Sequence, residues 1–574
     1  MTLSFGDFEL SAESYELRRA GESVRVEPRV FEVLAYLVAH RDRVVSKEEL
    51  LEKLWPDRFV SESALTRAIR DARRALGDTG SKEGWVRTVH GRGFRFVGDV
   101  REAGAPAASP APVPASRPAL VVLPLDDLSG DPEQAFFADG MTETLTSELA
   151  SIRSLKVISR TSAMRYKGAG RPLPEIAAEL GVDYAVEGSV QRAGDRVRIT
   201  AQLIQARDDE HLWAHTYDRE VTDLFAIQSD VALRIAEALR ATLSPRERHR
   251  LAHRPTGDVH AYQLYLQGRY SYGRYTAEGI RQGIAYFERA VAADPGFALA
   301  HVGVARAYAE QGHSGFDERP PSESFALAKA AVERAIALDG GLGEARGIRA
   351  LLMFSVDFDW VGAEREFELA LELSPNGADI YDHYGWMCQA LERYDDAIRL
   401  LRKARELDPY THQTDYATTL LRAGLHDEAV AAAKQILEFD PRLARGHSIL
   451  GWAYLFSGRA QEGLTELERA VALSTESTLF LAQLGQAYAL AGRTDDARKI
   501  LRQLLDLERL RYVSPYHLAY VHTGLGELDE AIACLERAVE NRDALAWGIK
   551  GSFLFRNLRV HPGFVALLRK MNLA

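Results

Sequence analysis

The stretch YDHYGWMCQALERYDDAIRLLRKARELDP, residues 381–409, reads as two helices packed against each other. Gly385 sits where the helices of such a unit must approach closely, which only a minimal side chain permits. Ala397, Leu401 and Ala404 recur at helical spacing on the second helix, and Pro409 ends it because proline has no N–H to continue the ladder. The pattern extends outward in both directions. Small or apolar residues return at Ala335, Ala370, Ala404, Ile436, Ala470, Leu504 and Ala538, at intervals of roughly 32–35 residues. Glycine recurs at 451 and 485, each followed three residues later by Tyr454 or Tyr488, and proline recurs at 375 and 441. Ala290 precedes Ala335 by roughly 45 residues, so an insertion is expected near GHSGFDERPPSES.

This pattern resembles the tetratricopeptide repeat family over about half the chain, residues 256–574, in about eight units. The resemblance implies an all-α superhelix, since single units cannot bury their apolar faces, and a concave surface that holds a protein or peptide segment. The closing FRNLRVHPGFVALLRKMNLA reads as an amphipathic capping helix on the last unit.

A chain of 574 residues exceeds one core and should divide into three or more domains. Its 46% hydrophobic and 27% charged residues are ordinary for a globular protein. The net charge of −11 argues against a nucleic-acid coat protein but not against one local basic module. Cys388 and Cys534 lack metal-like spacing and read as reduced thiols, so a cytoplasmic location is expected. No run approaches the roughly 18–20 apolar residues that span a bilayer, and the first residues are not read as a signal peptide. Residues 101–118, REAGAPAASPAPVPASRP, form a Pro/Ala-rich linker.

Residues 1–100 carry the chemistry. An alternating segment, FGDFELSAESYELRRAGESVRVEP, suggests a small antiparallel sheet. Phe31, Leu34, Leu37 and Val38 share a helical stripe; Ser46 should cap KEELLEKLW, with Glu49 completing a capping box, and Pro56 should end that helix. A third helix, SALTRAIRDARRAL, is capped by Ser61 or Ser63 and stopped by Gly77; it buries Leu65, Ile69, Ala72 and Leu76 and leaves Arg67, Arg70, Arg73 and Arg74 largely off that stripe. WVRTVHGRGFRFVGDV follows as a hairpin turned by Gly91 and Gly93. From Ser63 to Arg95 there are eight Lys/Arg against three Asp/Glu. Such a helix can supply base contacts while flanking cations meet phosphates, or its arginines can form a solvated face paired with Asp71 and Asp78.

The order of these elements resembles the winged-helix effector domain of the OmpR/PhoB family over its full length, through the leading sheet, LLEKLW, DRFVSE, the helix ending RRALGD, and the wing TVHGRGFRF. The resemblance implies double-stranded DNA binding, with Ser63, Ala64, Arg67 and Arg70 facing the major groove. Arg73 and Arg74 would serve phosphates or packing, and Thr88, His90 and Arg92 would lie on the wing. Two positions depart from the family: His90 replaces the usual wing arginine, and Asp71 stands where a basic residue is common.

Residues 119–250 alternate strands and helices as an α/β domain with a mixed sheet, and look like the TolB-N-terminal-like domain found between output domains and tetratricopeptide repeats. Arg160, Thr161 and Ser162 follow a strand and could bind a small anion, or cap the next helix and pair with Asp183 or Glu187. His211 and His215 would share a strand face without a third ligand, so no metal site is expected. No phosphate-binding loop, dinucleotide fingerprint, zinc-protease motif or nucleophile elbow occurs, and His249–His253, Asp126–Asp127 and Asp395–Asp396 read as surface and cap residues. Related architectures can carry a nucleotide-cyclase domain where this chain has its winged helix; nothing here resembles one. The reading is a multidomain, non-enzymatic transcription regulator without cofactor or membrane span, acting as two or more copies on promoter DNA; the alternative is a repeat adaptor that does not bind DNA.

Overall fold

The computed structural model describes residues 2–574 except 6, 12–15, 20–21, 25, 42, 55–61, 77, 79–84, 90–92, 99, 103–116, 131–134, 315–320 and 475–476. The chain divides into two compact units, residues 1–115 and 116–574.

In the first unit, β1 (Thr2–Phe5), β2 (Phe8–Ser11), β3 (Glu16–Arg19) and β4 (Glu22–Val24) form an antiparallel meander. Helices α1 (Pro28–Ala39), α2 (Lys47–Leu54) and α3 (Glu62–Ala75) follow, then the hairpin β5 (Val86–Val89) and β6 (Gly93–Phe96). Arg101 and Glu102, assigned to the linker from sequence, instead form β7 and pair with β1. Phe5, Phe8, Phe31, Leu34, Leu37, Leu65, Ile69 and Phe96 meet in one core.

The second unit opens with β8 (Ala119–Val122), β9 (Asp126–Asp127), α4 (Ala135–Ala150), β10 (Lys156–Val157), α5 (Arg160–Ala163) and α6 (Leu173–Leu180). The long strands β11 (Tyr184–Ala193), β12 (Arg196–Gln205) and β13 (Glu210–Glu220) come next, then α7 (Leu224–Ala238) and α8 (Pro245–Ala252). The sheet is mixed, as its sequence implied: β8 runs parallel to β10 and β11, while β11, β12 and β13 are antiparallel neighbours. Its register shifts between Leu203 and Ile204, so His215 faces Ala201 but His211 faces Ile204. Cross-strand partners share a face and successive residues alternate, so the bulge puts His211 and His215 on opposite faces, against expectation.

Eight helix pairs follow among the described residues: α9 and α10 (Val259–Tyr272, Ala277–Ala293), α11 and α12 (Ala298–Ser314, Pro321–Leu338), α13 and α14 (Gly343–Leu352, Trp360–Leu373), and α15 and α16 (Ala378–Ala390, Tyr394–Leu407). Then come α17 and α18 (Gln413–Arg422, His426–Phe439), α19 and α20 (Ala444–Phe456, Ala460–Leu473), α21 and α22 (Thr478–Leu490, Thr494–Glu508), and α23 and α24 (Pro515–Leu525, Leu528–Glu540). A Cβ on Gly385 would stand 2.8 Å from Leu401 Cγ, the close approach of α15 and α16 that the sequence required. Pro375, Pro409 and Pro441 each stand two residues beyond the end of a second helix.

The strands and the repeats are joined by more than the chain. One core runs from Leu120 through Val231 and Tyr262 to Leu352. Tyr262 accepts a hydrogen bond from Gln228 Nε2 at 2.8 Å and lies 3.0 Å from Thr144 Oγ1. Later pairs grip the same segment. Asn376 Nδ2 donates to the carbonyls of Ala150 (2.9 Å) and Leu155 (3.1 Å), and Ser162 Oγ donates to Asp408 at 2.6 Å. Arg160 pairs with Glu143 at 2.9 Å. Neither Asp183 nor Glu187, the acids proposed from sequence, partners this turn; Ser159 caps it by accepting from Ser162 N.

Candidate nucleic-acid interface

Helix α3 forms because Leu65, Ala68, Ile69, Ala72 and then Leu76 recur on one side, and all five are buried. The opposite side carries the charges. Arg67, Arg70 and Arg74 are exposed, and Arg67 and Arg74 have no hydrogen-bond or ion-pair partner among the described residues. Arg70 Nε lies 3.5 Å from Asp71 Oδ1, with two-thirds of its side chain in solvent. That is too loose and wet to neutralise it. The solvated-face alternative, arginines satisfied by Asp71 and Asp78, therefore holds only weakly for Arg70.

Arg73 differs. Its Nε and Nη2 donate to the Val86 carbonyl at 2.9 and 2.7 Å, and Nη2 also donates to Thr88 Oγ1 at 2.8 Å. Of the roles left open for it, packing is the one with partners here: it fastens α3 to β5. Thr88 is exposed on the hairpin. Ser63 and Ala64 lie in the first turn of α3. His90, Gly91 and Arg92, the wing tip, fall outside the described residues, as do Pro56, Ser61 and Gly77. Gly93 is described: its φ of +138° and a carbonyl of Val45 only 2.0 Å from any added Cβ leave room for nothing but glycine.

Ser46 caps α2 by accepting from Glu49 N at 3.1 Å, but the capping box is not completed. Glu49 turns away to Arg43, at 2.6 and 2.8 Å, and to the Tyr36 hydroxyl at 2.8 Å. Those hydrogen bonds hold its carboxyl down near 2. A reciprocal box occurs instead at Ser244 and Glu247.

Sequence reasoning passed over Arg87 and Arg95. They are exposed and stand directly opposite each other in the β5–β6 ladder. The period-two alternation of VRTV and GFRF, once put in register, is the signal that finds them.

The face built by the first helices of the pairs was expected to be open to a partner. From α15 onward it is covered by residues 546–558. Trp547 stacks on Trp386 at 5.8 Å, and Phe553 packs edge-on against Trp452 and Phe456. Phe555 lies between Tyr516 and Tyr520, and Gln486 Nε2 donates to the Leu554 carbonyl at 2.7 Å. These aromatic residues pack the inner face of the later pairs against the chain's own segment. Beyond it, α25 (Pro562–Lys570) packs on α24, and the Met571 carbonyl accepts from Trp360 Nε1 at 2.8 Å.

No helix among the described residues is long and apolar enough to cross a membrane. Residues 21–96 match the family described as "Transcriptional regulatory protein, C terminal". Residues 273–313, 388–444, 450–509 and 516–544 match tetratricopeptide repeat families. A protein named putative adenylate cyclase 3 from Rhizobium meliloti (strain 1021) is 41% identical over 195 residues, 34% of this chain. The match spans only 33% of that relative's length. Transcriptional regulator HilA of Salmonella typhi is 23% identical over 411 residues, 71% of this chain and 70% of that protein. Transcriptional activator CadC of Escherichia coli (strain K12) is 26% identical over 121 residues, 20% of this chain and 24% of that protein. This chain thus joins a winged helix of the OmpR/PhoB-type transcriptional-regulator class to a mixed-sheet segment and tetratricopeptide repeats.

Proposed function

We propose that the protein is a cytoplasmic, sequence-specific DNA-binding transcription regulator whose repeats bind a protein or peptide effector. The observation that carries the reading is the outer side of α3, where Arg67, Arg70 and Arg74 are exposed and the apolar stripe is fully spent inside. Helix α3 would lie in the major groove, with Ser63, Ala64, Arg67 and Arg70 toward base edges. Arg74 and Thr88 would meet phosphates, and His90 and Arg92 would reach the adjoining minor groove. Arg87 and Arg95, exposed opposite each other on the hairpin, would join them as further phosphate contacts.

Regulators named HilA and CadC among the relatives support this role, and we assign no catalytic activity from the cyclase-named relative. The order of strands and helices in residues 119–250 supports the TolB-N-terminal-like reading of that segment. With the inner face of the later pairs covered, an effector or a second copy would meet the earlier pairs or the outer helices.

Binding of the full chain to genomic fragments tests the proposal. Arg67→Ala or Arg70→Ala should cost about 1–3 kcal/mol at particular base positions. Arg87→Ala or Arg95→Ala should weaken every duplex alike and lower the salt slope by about 0.9, one phosphate's worth. Equal weakening on all sequences by the α3 variants would reject base reading; no affinity for any duplex would leave the adaptor.

A further inference from the structure

Three side chains from two stretches about thirty residues apart converge at the junction of two repeat pairs. Asp382 comes from α15, His412 immediately precedes α17, and Asp415 lies in the first turn of α17. One ligand-type atom from each lies within 4.8 Å of the others, and the residues are only 3%, 4% and 8% exposed.

Their mutual contacts are long. His412 Nδ1 stands 3.3 Å from Asp382 Oδ2, and His412 Nε2 stands 3.5 Å from Asp379 Oδ1. A charge-assisted N–H···O contact closes to about 2.7–2.9 Å, so neither gap is one. The other Asp382 oxygen, Oδ1, is buried and has no partner. Leaving a carboxylate oxygen dry and unpaired is costly. Asp415 gives one oxygen to Arg445 at 2.7 Å, which leaves the other for the cluster. Asp379 is already held by Arg306 at 2.7 Å.

A 3.3 Å separation has a different natural explanation. Two ligands each about 2.0–2.1 Å from a tetrahedral zinc stand about 3.3–3.4 Å apart. We infer that Asp382, His412 and Asp415 form a binding site for a divalent cation of the zinc type, with His412 coordinating through Nδ1. Asp379 stands 3.5 Å from the other ring nitrogen, Nε2, on the side where a metal-bound histidine usually finds its second partner. A water completes four-coordination.

The site's place in the fold gives it a role. The residues just before His412 are those on which the strand-bearing segment rests: Leu407, whose carbonyl accepts from Ser159 N at 2.8 Å, and Asp408, which accepts from Ser162 Oγ. A cation bridging α15 to the start of α17 fixes that segment against the neighbouring pair. The inference is independent of DNA binding and runs against the expectation of no metal site, since Asp382 and His412 are too far apart in sequence to form a recognisable spacing.

The test uses the full, untagged chain. After equilibration with Zn2+ and desalting, one zinc per chain should remain, Co2+ loading should give the intense visible absorption of tetrahedral cobalt, and chelation should lower the melting temperature. Asp382→Asn and Asp415→Asn, checked for folding by circular dichroism, should each lower zinc affinity at least tenfold. Failure of the unmodified chain to retain zinc, or a cobalt spectrum no different from the aquo ion, overturns the inference. The cluster is then a protonated histidine held among carboxylates.

Discussion

Substituting Gly551 by alanine adds one carbon to the inner face of the repeats, and the structure sets what that carbon must do. Its position lies 2.1 Å from the carbonyl oxygen of Gln389 and 3.4 Å from Ala390 Cα, both backbone atoms of α15. Carbon and oxygen normally touch at about 3.2 Å, so the segment must retreat by about 1 Å, and no rotamer change can relieve it. Overpacking of this kind costs about 1–3 kcal/mol. The retreat also loosens the Gln486 bond to Leu554 and the packing of Phe555, which is fully buried. A total of about 2–4 kcal/mol is therefore expected, felt first as local opening of residues 546–558. Hydrogen exchange of the full chain measures it. At about 1.4 kcal/mol per tenfold, amides in that segment should exchange at least roughly 30-fold faster, with little change in α9–α12. Unchanged exchange in residues 546–558 would show that they do not rest on α15.

Other perturbations follow from single contacts. Arg73→Ala removes the donors to Val86 O and Thr88, so the winged helix should lose about 1–3 kcal/mol in denaturant titration, whether or not DNA is present. Asn376→Ala strands carbonyls at the end of α4 and just before β10 and should cost about 1–3 kcal/mol, seen as faster exchange in α4 and β10. Burial pushes the His517 and His313 imidazoles down to about 4, below the ordinary value of 6.5. Each stays neutral in the fold while the unfolded chain takes up a proton, so stability present above pH 6.5 is lost as pH falls from 6.5 toward 4. His517→Gln should remove about one proton's worth of that slope in melting measured against pH; an unaltered slope would refute the burial argument.

The parts of the fold legible in sequence are those in which cause and effect lie within one or two helices. The Tyr381–Pro409 unit announced itself because Gly385 and Leu401 meet within a single helix pair, and the α3 stripe because Leu65, Ile69, Ala72 and Leu76 are spaced by the helix itself. The mixed sheet followed from the succession of strand-like and helix-like segments over residues 119–250. Contacts that need the whole chain stayed hidden. Gly551 meets Gln389 across more than a hundred residues, and nothing in WGIKGSFLF says that the segment returns to its own repeats. A one-residue bulge turned His211 away from His215. Glu49 had two rival partners for its carboxylate, and Arg43 with Tyr36 outcompeted the cap because together they offer three hydrogen bonds. At the interface, helix periodicity identified Arg67, Arg70 and Arg74, whereas Arg87 and Arg95 needed the hairpin register.

In the proposed function, α3 and its hairpin bind a duplex although the chain as a whole is acidic. The affinity of the full protein for double-stranded DNA, measured from about 50 to 200 mM salt, tests it most directly. With four to five phosphates engaged, log Kd should rise with log salt at a slope of about 4, a loss of roughly two orders of magnitude or more over that range, on a preferred sequence bound more tightly than random DNA. Absence of binding to any duplex at the lowest salt, or binding indifferent to salt, would contradict the account.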